Sequence, residues 1–439
     1  MSCLLKAKTN KEYPLIDHGQ GVYLFDTAGR DYIDGSSGAI VANIGHAIPE
    51  IAEVAREQIS QVAYTYRMQF NNEKAEELAE KIVRRARDKA AAFFLSSGSE
   101  AAEAALRLII QYWRERQEPL KRRILSRQVS YHGNTLGALS LSSDARRSSM
   151  EGLLVTEPVV SPCYCYRCPF NESPETCQLA CADDLEKAIL RIGPEHVAAF
   201  VTEPIVGATG GAIVPHEGYF ARVREICDRY DVLLVVDEVI TGFGRTGAWF
   251  AMHHWDVAAD LTILGKGLNA GYTPLSAILV SAELRGAIAA GSGQLSIGHT
   301  HSCNPLSAAI CCEVIDYIER HDLVSAAARK GHVLGKVLRN FMRRYDFIGD
   351  VRGFGLLWGL EFVQDRTSRL PFVSDKHVTD AIVDLAFENG LIVYPCRGLM
   401  HANKGDAVLV APPLTISADE MDALADRLER TLNAFSKKL

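Results

Sequence analysis

The chain has 439 residues, 48% of them hydrophobic and 23% charged. That apolar content excludes a mainly disordered protein, and the length suggests two or three domains. Lysine and arginine number 47 against 54 acidic residues, a net charge of -7. Basic runs such as Arg84–Arg87 and Lys121–Arg123 are short and read as solvated faces, so no nucleic-acid partner is expected.

No stretch approaches the roughly 18 apolar residues of a transmembrane helix, so no membrane association is expected. The start carries Lys6, Lys8 and Lys11 without an apolar segment, which argues against a signal peptide. The terminal Ser-Lys-Lys-Leu is not the peroxisomal tripeptide. Eleven cysteines in this context point to reduced thiols and a cytoplasmic location.

In chain order, Tyr23–Asp26 and Tyr32–Asp34 read as short strands. Ala91–Leu95, Arg123–Ser126, Ala198–Thr202, Val232–Val236, Leu261–Leu264 and Leu275–Val280 follow as strands, mostly uninterrupted apolar runs of buried-strand length. Helix-period segments lie between and after them, at Glu100–Arg116, Tyr219–Tyr230, Ala282–Ala290 and Asn304–Arg320. Such alternation predicts a mostly parallel sheet with helices on both faces. Beyond it, the helical segments Val324–Arg344, His377–Asn389 and Ala418–Lys437 flank the strands Gly355–Phe362 and Leu391–Tyr394, a smaller α+β unit. The predicted division is 1–55, the N-terminal part of the small domain; 56–324, the large domain; and 325–439, the C-terminal part of the small domain.

The chemistry-bearing residues sit at strand exits. Val232–Val236 runs into Asp237 and Glu238, either a solvent-facing strand end or a functional acid, because sites in open parallel sheets lie at the carboxyl ends of strands. Leu261–Leu264 runs into Gly265-Lys266-Gly267, either a surface turn or a desolvated amine able to form a Schiff base. Ser96-Ser97-Gly98-Ser99-Glu100 opens a helix, either as an ordinary serine cap or as a phosphate site. Tyr131-His132-Gly133 offers a turn aromatic or a platform for a planar ligand. Gly242-Phe-Gly244-Arg-Thr-Gly247 has the glycine spacing of a dinucleotide site, but Asp237 and Glu238 intervene and no clean amphipathic helix follows. Together an acid, a lysine and a phosphate loop at separate strand exits suit pyridoxal phosphate: the acid keeps the ring nitrogen protonated, the lysine forms the Schiff base and the helix N-terminus takes the phosphate.

The stretch Asp237–Gly247, followed by Gly265-Lys266-Gly267, resembles the signature of the class III (ω-) aminotransferases, pyridoxal-phosphate enzymes of fold type I. Gly45-His46, Ser97-Gly98-Ser99-Glu100-Ala101, Tyr131-His132-Gly133, Glu203-Pro204-Ile205 and Ala411-Pro412-Pro413-Leu414 extend the resemblance along nearly the whole chain. It implies an α/β fold whose large domain holds a mostly parallel seven-stranded sheet between helices, with a smaller α+β domain. It implies that Lys266 carries the Schiff base and moves the proton, and that Asp237 pairs with the ring nitrogen. Val239 then packs under the ring with Ile240 beside it, Tyr131 lies over it, and Gly98 and Ser99 bind the phosphate. Thr300 matches the threonine that reaches the partner subunit's phosphate, which implies a homodimer.

Departures bear on the substrate. Members that use 2-oxoglutarate often carry Gln where this chain has Ile240, and Glu in the loop that reads Val206-Gly-Ala-Thr-Gly210 here. Many amine:pyruvate members carry a mobile arginine shortly before the pair Gly405-Asp406, where this chain reads Ala402-Asn403-Lys404. His401, Lys404 and Arg397 are then either substitutes for that arginine or surface loop residues. Ile40, Arg67 and Tyr131 are candidates for the substrate mouth. The resemblance implies transfer of an amino group from an amine or ω-amino acid to a small oxo acid such as pyruvate. A racemase, epimerase or decarboxylating transaminase of the same fold is the alternative, and a nicotinamide oxidoreductase a remote one.

Cys163-x-Cys165-x2-Cys168-x8-Cys177-x3-Cys181 reads either as a zinc or iron–sulfur site or as a thiol-rich, redox-sensitive loop. The family chemistry needs no metal, and none is assigned. His253-His254, lacking a matched second pair, reads as packing.

Overall fold

The computed structural model describes residues 3–9, 11–143, 145–155, 159–400 and 404–439. The N-terminal segment forms an antiparallel meander of β1 (Ile16–Gln20), β2 (Tyr23–Asp26) and β3 (Asp31–Ile33). Asp26 builds the turn before β3: its Oδ1 accepts the Ala28 and Arg30 amides at 3.0 and 2.9 Å, and its Oδ2 accepts the Tyr32 hydroxyl at 2.9 Å. Such local bonding is why aspartate is favoured in turns. The meander is tied to the far end of the chain. Ile33 N donates to Gly390 O, Ile392 N donates to Ile33 O, and Arg427 pairs with Asp31.

The central sheet contains β4 (Ala91–Leu95), β5 (Arg123–Ser126), β6 (Val197–Thr202), β7 (Leu233–Asp237), β8 (Leu261–Leu264) and β9 (Ser276–Val280), in the order β4-β9-β8-β7-β6-β5. Every residue of β6, β7 and β8 is buried. Burial on both faces is what makes these strands read as continuous aliphatic runs. Strands β5 to β8 are mutually parallel, whereas β9 runs against both of its neighbours. The expectation of seven strands is corrected to six. Among the described residues a seventh survives only as the parallel bridge Arg127–Val160 outside β5. Pro162, two residues later, has no amide to donate, so the ladder stops there.

Helices Gly98–Glu115, Ala180–Ile192, Tyr219–Arg229, Ala282–Ala290 and Pro305–Arg320 belong to this part of the chain. The C-terminal part carries a second, antiparallel sheet of β10 (Ile348–Phe354), β11 (Leu357–Phe362), β12 (Tyr394–Met400) and β13 (Lys404–Val410), in the order β10-β11-β13-β12. Helices Leu323–Arg344, Val378–Glu388 and Ala418–Ser436 accompany it. The last is opened by a capping box in which Ser417 and Glu420 each accept from the other's amide. Two expected strands shift. Leu391 bridges Ile33 while the strand itself starts at Tyr394, and Gly355 is the turn before β11, at φ +55°. A Cβ at Gly355 would stand 2.4 Å from the Thr246 carbonyl carbon, so glycine lets this hairpin touch the 242–247 stretch. No helix of the described residues is long and apolar enough to cross a membrane.

Candidate active site

The sheet directions bring the expected residues to one edge. β4, β5, β6, β7 and β8 all end there, and β9 starts there, with Ser276 Oγ donating to Ser97 O at 2.7 Å. Asp237 is the last residue of β7, level with Ile263 of β8, and Lys266 follows two residues after β8 ends. From β4 the chain turns through Ser96 and Ser97 into helix Gly98–Glu115. Ser97 is the N-cap, accepting the Glu100 amide at 3.3 Å. Thus the ordinary cap reading holds for Ser97, while Gly98 and Ser99 form the first turn, where free amides and the helix dipole favour an anion. A Cβ on either Gly98 or Gly265 would lie 3.4 Å from Val239, so the phosphate-loop, acid and lysine segments meet around Val239.

Asp237 is buried, with one partner on each oxygen. Its Oδ1 accepts the Val239 amide at 3.0 Å and its Oδ2 lies 2.8 Å from His132 Nδ1. Glu238, one residue on, is held elsewhere, accepting the Ala251 and Met252 amides at 2.9 Å each and the Thr241 hydroxyl. Strand alternation thus gives the two neighbouring acids separate surroundings. Glu203, at the exit of β6, accepts the Tyr131 amide at 3.0 Å and the Gly207 amide at 2.9 Å. Burial pushes its carboxyl up, opposed by His132 and the two amides. Lys266 is half-buried with φ +41°, and desolvation lowers its ammonium to about 8, although the Asp237 and Glu203 charges pull the other way.

Tyr131 is half-buried beside these acids. Ser99 Oγ accepts the Asn134 amide at 3.0 Å, which joins the turn after Tyr131 to the Gly98–Ser99 loop. Ile240 is buried in the same cluster as Ile40 and Val206, and a Cβ on Gly207 would meet Ile240 Cδ1 at 2.4 Å. Ile40 itself is fully buried in that cluster. Other expected residues lie apart from this group. Arg67 donates to Ile297 O at 3.0 Å and stacks over Phe93. Arg397 is exposed on β12 and donates to Asp380 at 2.6 Å. Lys404 is exposed at the start of β13, and His401 lies outside the described residues. Thr300 is exposed in the 291–304 segment.

Sequence reasoning quoted His132, Glu203 and Arg245 only as parts of motifs. His132 and Asp237 are 105 residues apart in the chain, so no local spacing signals their contact. Arg245 is fully buried without a carboxylate on its fork. It donates to Leu356 O, Pro412 O, Ser37 Oγ and Asn43 Oδ1, and burial lowers its pKa to about 9. The glycines around it serve packing, not a dinucleotide. Cβ atoms on Gly244 and Gly247 would meet Leu414 at 3.0 Å and Ala328 at 2.8 Å, and no α-helix starts there.

Among the described residues no three His, Cys, Asp or Glu side chains form a metal-binding group, and all eleven cysteines are free. Cys163 sits 3.0 Å from Arg127 Nη1 in the core. His254 packs on Phe354 with ring centroids 4.3 Å apart, and its Nε2 lies 3.1 Å from Thr246 O.

Residues 6–432 match the family described as aminotransferase class-III. An uncharacterized aminotransferase of Bacillus subtilis, YodT, is 43% identical, the alignment covering 100% of this chain and 99% of that protein. A putrescine–pyruvate aminotransferase of Pseudomonas aeruginosa is 32% identical over 98% of this chain and 92% of its own length. The crystal structure of an amine transaminase from an uncultivated Pseudomonas species, in a PLP-bound form, superposes with a TM-score of 0.91 at 32% identity, covering 99% of this chain and 98% of that one. A match along almost the full chain, with an acid, a lysine and a helix N-terminus meeting at one sheet edge, makes this chain a member of the class III aminotransferases, enzymes dependent on pyridoxal phosphate.

Proposed function

We propose that the chain moves an amino group from an amine or ω-amino acid to a small oxo acid such as pyruvate. The observation that carries the acceptor choice is the apolar wall of Ile40, Val206 and Ile240, packed where 2-oxoglutarate-using members often place polar and acidic side chains. The similarity to a putrescine–pyruvate aminotransferase supports the same reading.

The donor set suits the cofactor: a buried acid for the ring nitrogen, an amine of lowered pKa, and a helix N-terminus for the phosphate. When bound, pyridoxal phosphate supplies the electron sink that makes a substrate C–H bond acidic. In this reading Asp237, oriented by His132 and the Val239 amide, holds the ring-nitrogen proton. Val239 and Tyr131 bracket the ring with Ile240 beside it, and Gly98 and Ser99 hold the phosphate. Lys266 Nζ would take the proton from the substrate carbon that bears the amino group and deliver it to the cofactor carbon that carried the aldehyde, leaving the nitrogen with the cofactor.

We also infer a homodimer in which Thr300 completes the partner's phosphate site, a reading supported by the exposed apolar segment that includes Tyr66, Met68 and Phe70. The division into 1–55, 56–324 and 325–439 is supported by the links from Ile33 to Gly390 and from Arg427 to Asp31. A cytoplasmic location is supported by the eleven free thiols.

The test is the visible spectrum of the purified holoenzyme with a panel of amines, then pyruvate. Bleaching by an amine and return with pyruvate are expected. A band that no amine bleaches would leave a racemase or epimerase as the better reading. Lys266→Ala is expected to abolish turnover, and Asp237→Asn to lower it by about a hundredfold or more, the scale of removing one preorganised electrostatic partner.

A further inference from the structure

We propose that the cavity between the end of helix Glu73–Ala86 and the segment 250–262 is a second ligand site, and that it takes a small zwitterionic amino acid. The cavity holds about 130 Å³. A single water needs about 10–15 Å³ on that scale, so about ten heavy atoms fit. Arg87 and Asp256, on its wall, lead into β4 and β8, and it is the far ends of those strands that form the catalytic edge.

The wall carries charges of both signs, and some are settled. Lys89 is buried, and its Nζ donates to Asp88 Oδ2 and, at 2.7 Å, to Ala259 O. Glu238 is buried on the Thr241 hydroxyl and the Ala251 and Met252 amides. Arg87 and Asp256 are different. Both are exposed at this cavity, and neither makes an ion pair among the described residues. His253 adds no charge near neutral pH, because burial, then the Arg87 guanidinium, lower its pKa.

Arg87 is held there against its backbone preference. It stands at φ +60° and ψ -46°, and the Asp88 amide donates across it to Ala86 O at 2.7 Å. This is the γ-turn with positive φ at its centre, a rare and strained conformation that glycine would relax. Such strain persists only where the surroundings impose it, and it gathers at ligand sites. Asp256 is left-handed too, at φ +51°.

These two charges select the ligand. A lone carboxylate would gain Arg87 but stand in a cavity that also holds Asp256, and a lone ammonium would meet Arg87. An amino acid offers one group to each: its carboxylate to the guanidinium fork in two parallel hydrogen bonds, its ammonium to Asp256. Phe250, Met252 and Val257 also line the cavity and suit a short aliphatic side chain.

The test is calorimetric titration of the holoenzyme with N,N-dimethylglycine, a zwitterion whose tertiary nitrogen cannot form a Schiff base. Saturable binding is expected. Isovalerate and N,N-dimethylisobutylamine, which each keep one of its two charges, should bind at least about tenfold more weakly. Arg87→Gln and Asp256→Asn should each weaken N,N-dimethylglycine by about tenfold or more, the scale of losing a charged hydrogen-bond partner, and leave turnover within about twofold. Arg87→Gly should lose the ligand without lowering the melting temperature, since it relaxes the turn; an arginine with a merely structural role would lower it. No saturable binding to the parent would overturn the proposal. So would binding that both charge variants leave unchanged, which places the ligand in the catalytic site. Isovalerate binding as tightly as the zwitterion would also overturn it, making this an anion site.

Discussion

In the role proposed for it Asp237 must be aimed at a ring nitrogen, and His132, 2.8 Å from its Oδ2, is placed to aim it. The pair is buried, and removing the imidazole leaves the acid with the Val239 amide as its one remaining bond in this set. A charge-assisted bond of this kind contributes about 1.5–3 kcal/mol. His132→Ala is therefore expected to weaken cofactor affinity and turnover by about ten- to a hundredfold, with partial rescue by His132→Asn, which keeps a donor. Equal loss in both variants would show that imidazole volume, not the bond, matters. Lys266 carries a second consequence. Because burial lowers its pKa to about 8, the folded apoenzyme has shed this proton at pH values where an exposed lysine keeps it. Only the neutral amine adds to an aldehyde, so the rate of cofactor capture should climb with pH and level off above about 8. Between that pH and the ordinary lysine value the unfolded chain binds more protons than the folded one, so this group makes the apoenzyme more stable as pH rises. A capture rate still climbing near pH 10 would remove the desolvation argument.

At the scale of elements, the strand exits are held in register by close loop contacts, and Gly133 marks one of them. It sits at φ +138°, and a Cβ there would stand 2.6 Å from Ser99 Oγ and 2.8 Å from Ser99 Cα. Gly29 also has positive φ, +80°, but nothing lies within 4 Å of its would-be Cβ. Gly29→Ala should show only the backbone strain, about 1 kcal/mol, with unchanged cofactor affinity. Gly133→Ala adds a clash with Ser99, so, if the Gly98–Ser99 turn holds the phosphate as proposed, cofactor affinity should fall as well as the melting temperature. Equal behaviour of the two variants would mean that this loop contact does not set the phosphate site. The same contrast explains what was legible beforehand. β6, β7 and β8 are buried on both faces, so length, apolarity and the polar residue at each exit disclosed Asp237 and Lys266. β13 reads Lys404-Gly-Asp-Ala-Val-Leu-Val410, and its polar start hid it. The reversed direction of β9 depends on its pairing partners, which no local pattern carries. The contact of His132 with Asp237 is likewise made only by folding.

Over the whole molecule, two segments distant in the chain share one face, and the proposed dimer would form there. Residues 59–70 expose Ile59, Tyr66, Met68 and Phe70, each more than half accessible. They pack against the segment carrying Thr300: Asn72 donates to Cys303 O at 2.8 Å, Arg67 donates to Ile297 O, and the Tyr64 and His301 rings stand 6.4 Å apart. A contiguous apolar surface of this kind on a monomer marks an interaction face, and closed two-fold pairing buries the same patch on both copies. If Thr300 serves the partner's phosphate, dimerisation and cofactor retention must be linked. Met68→Glu combined with Phe70→Glu should convert the dimer to monomer in light scattering, and the monomer should lose cofactor on gel filtration. Raising protein concentration should restore both together, because binding that favours the assembled state shifts with mass action. Thr300→Ala should leave the dimer intact while weakening phosphate retention, since it removes one hydroxyl and no interface area. A charged double variant that is monomeric yet keeps cofactor and full turnover would show each site complete within one chain, and Thr300 would then be a surface residue.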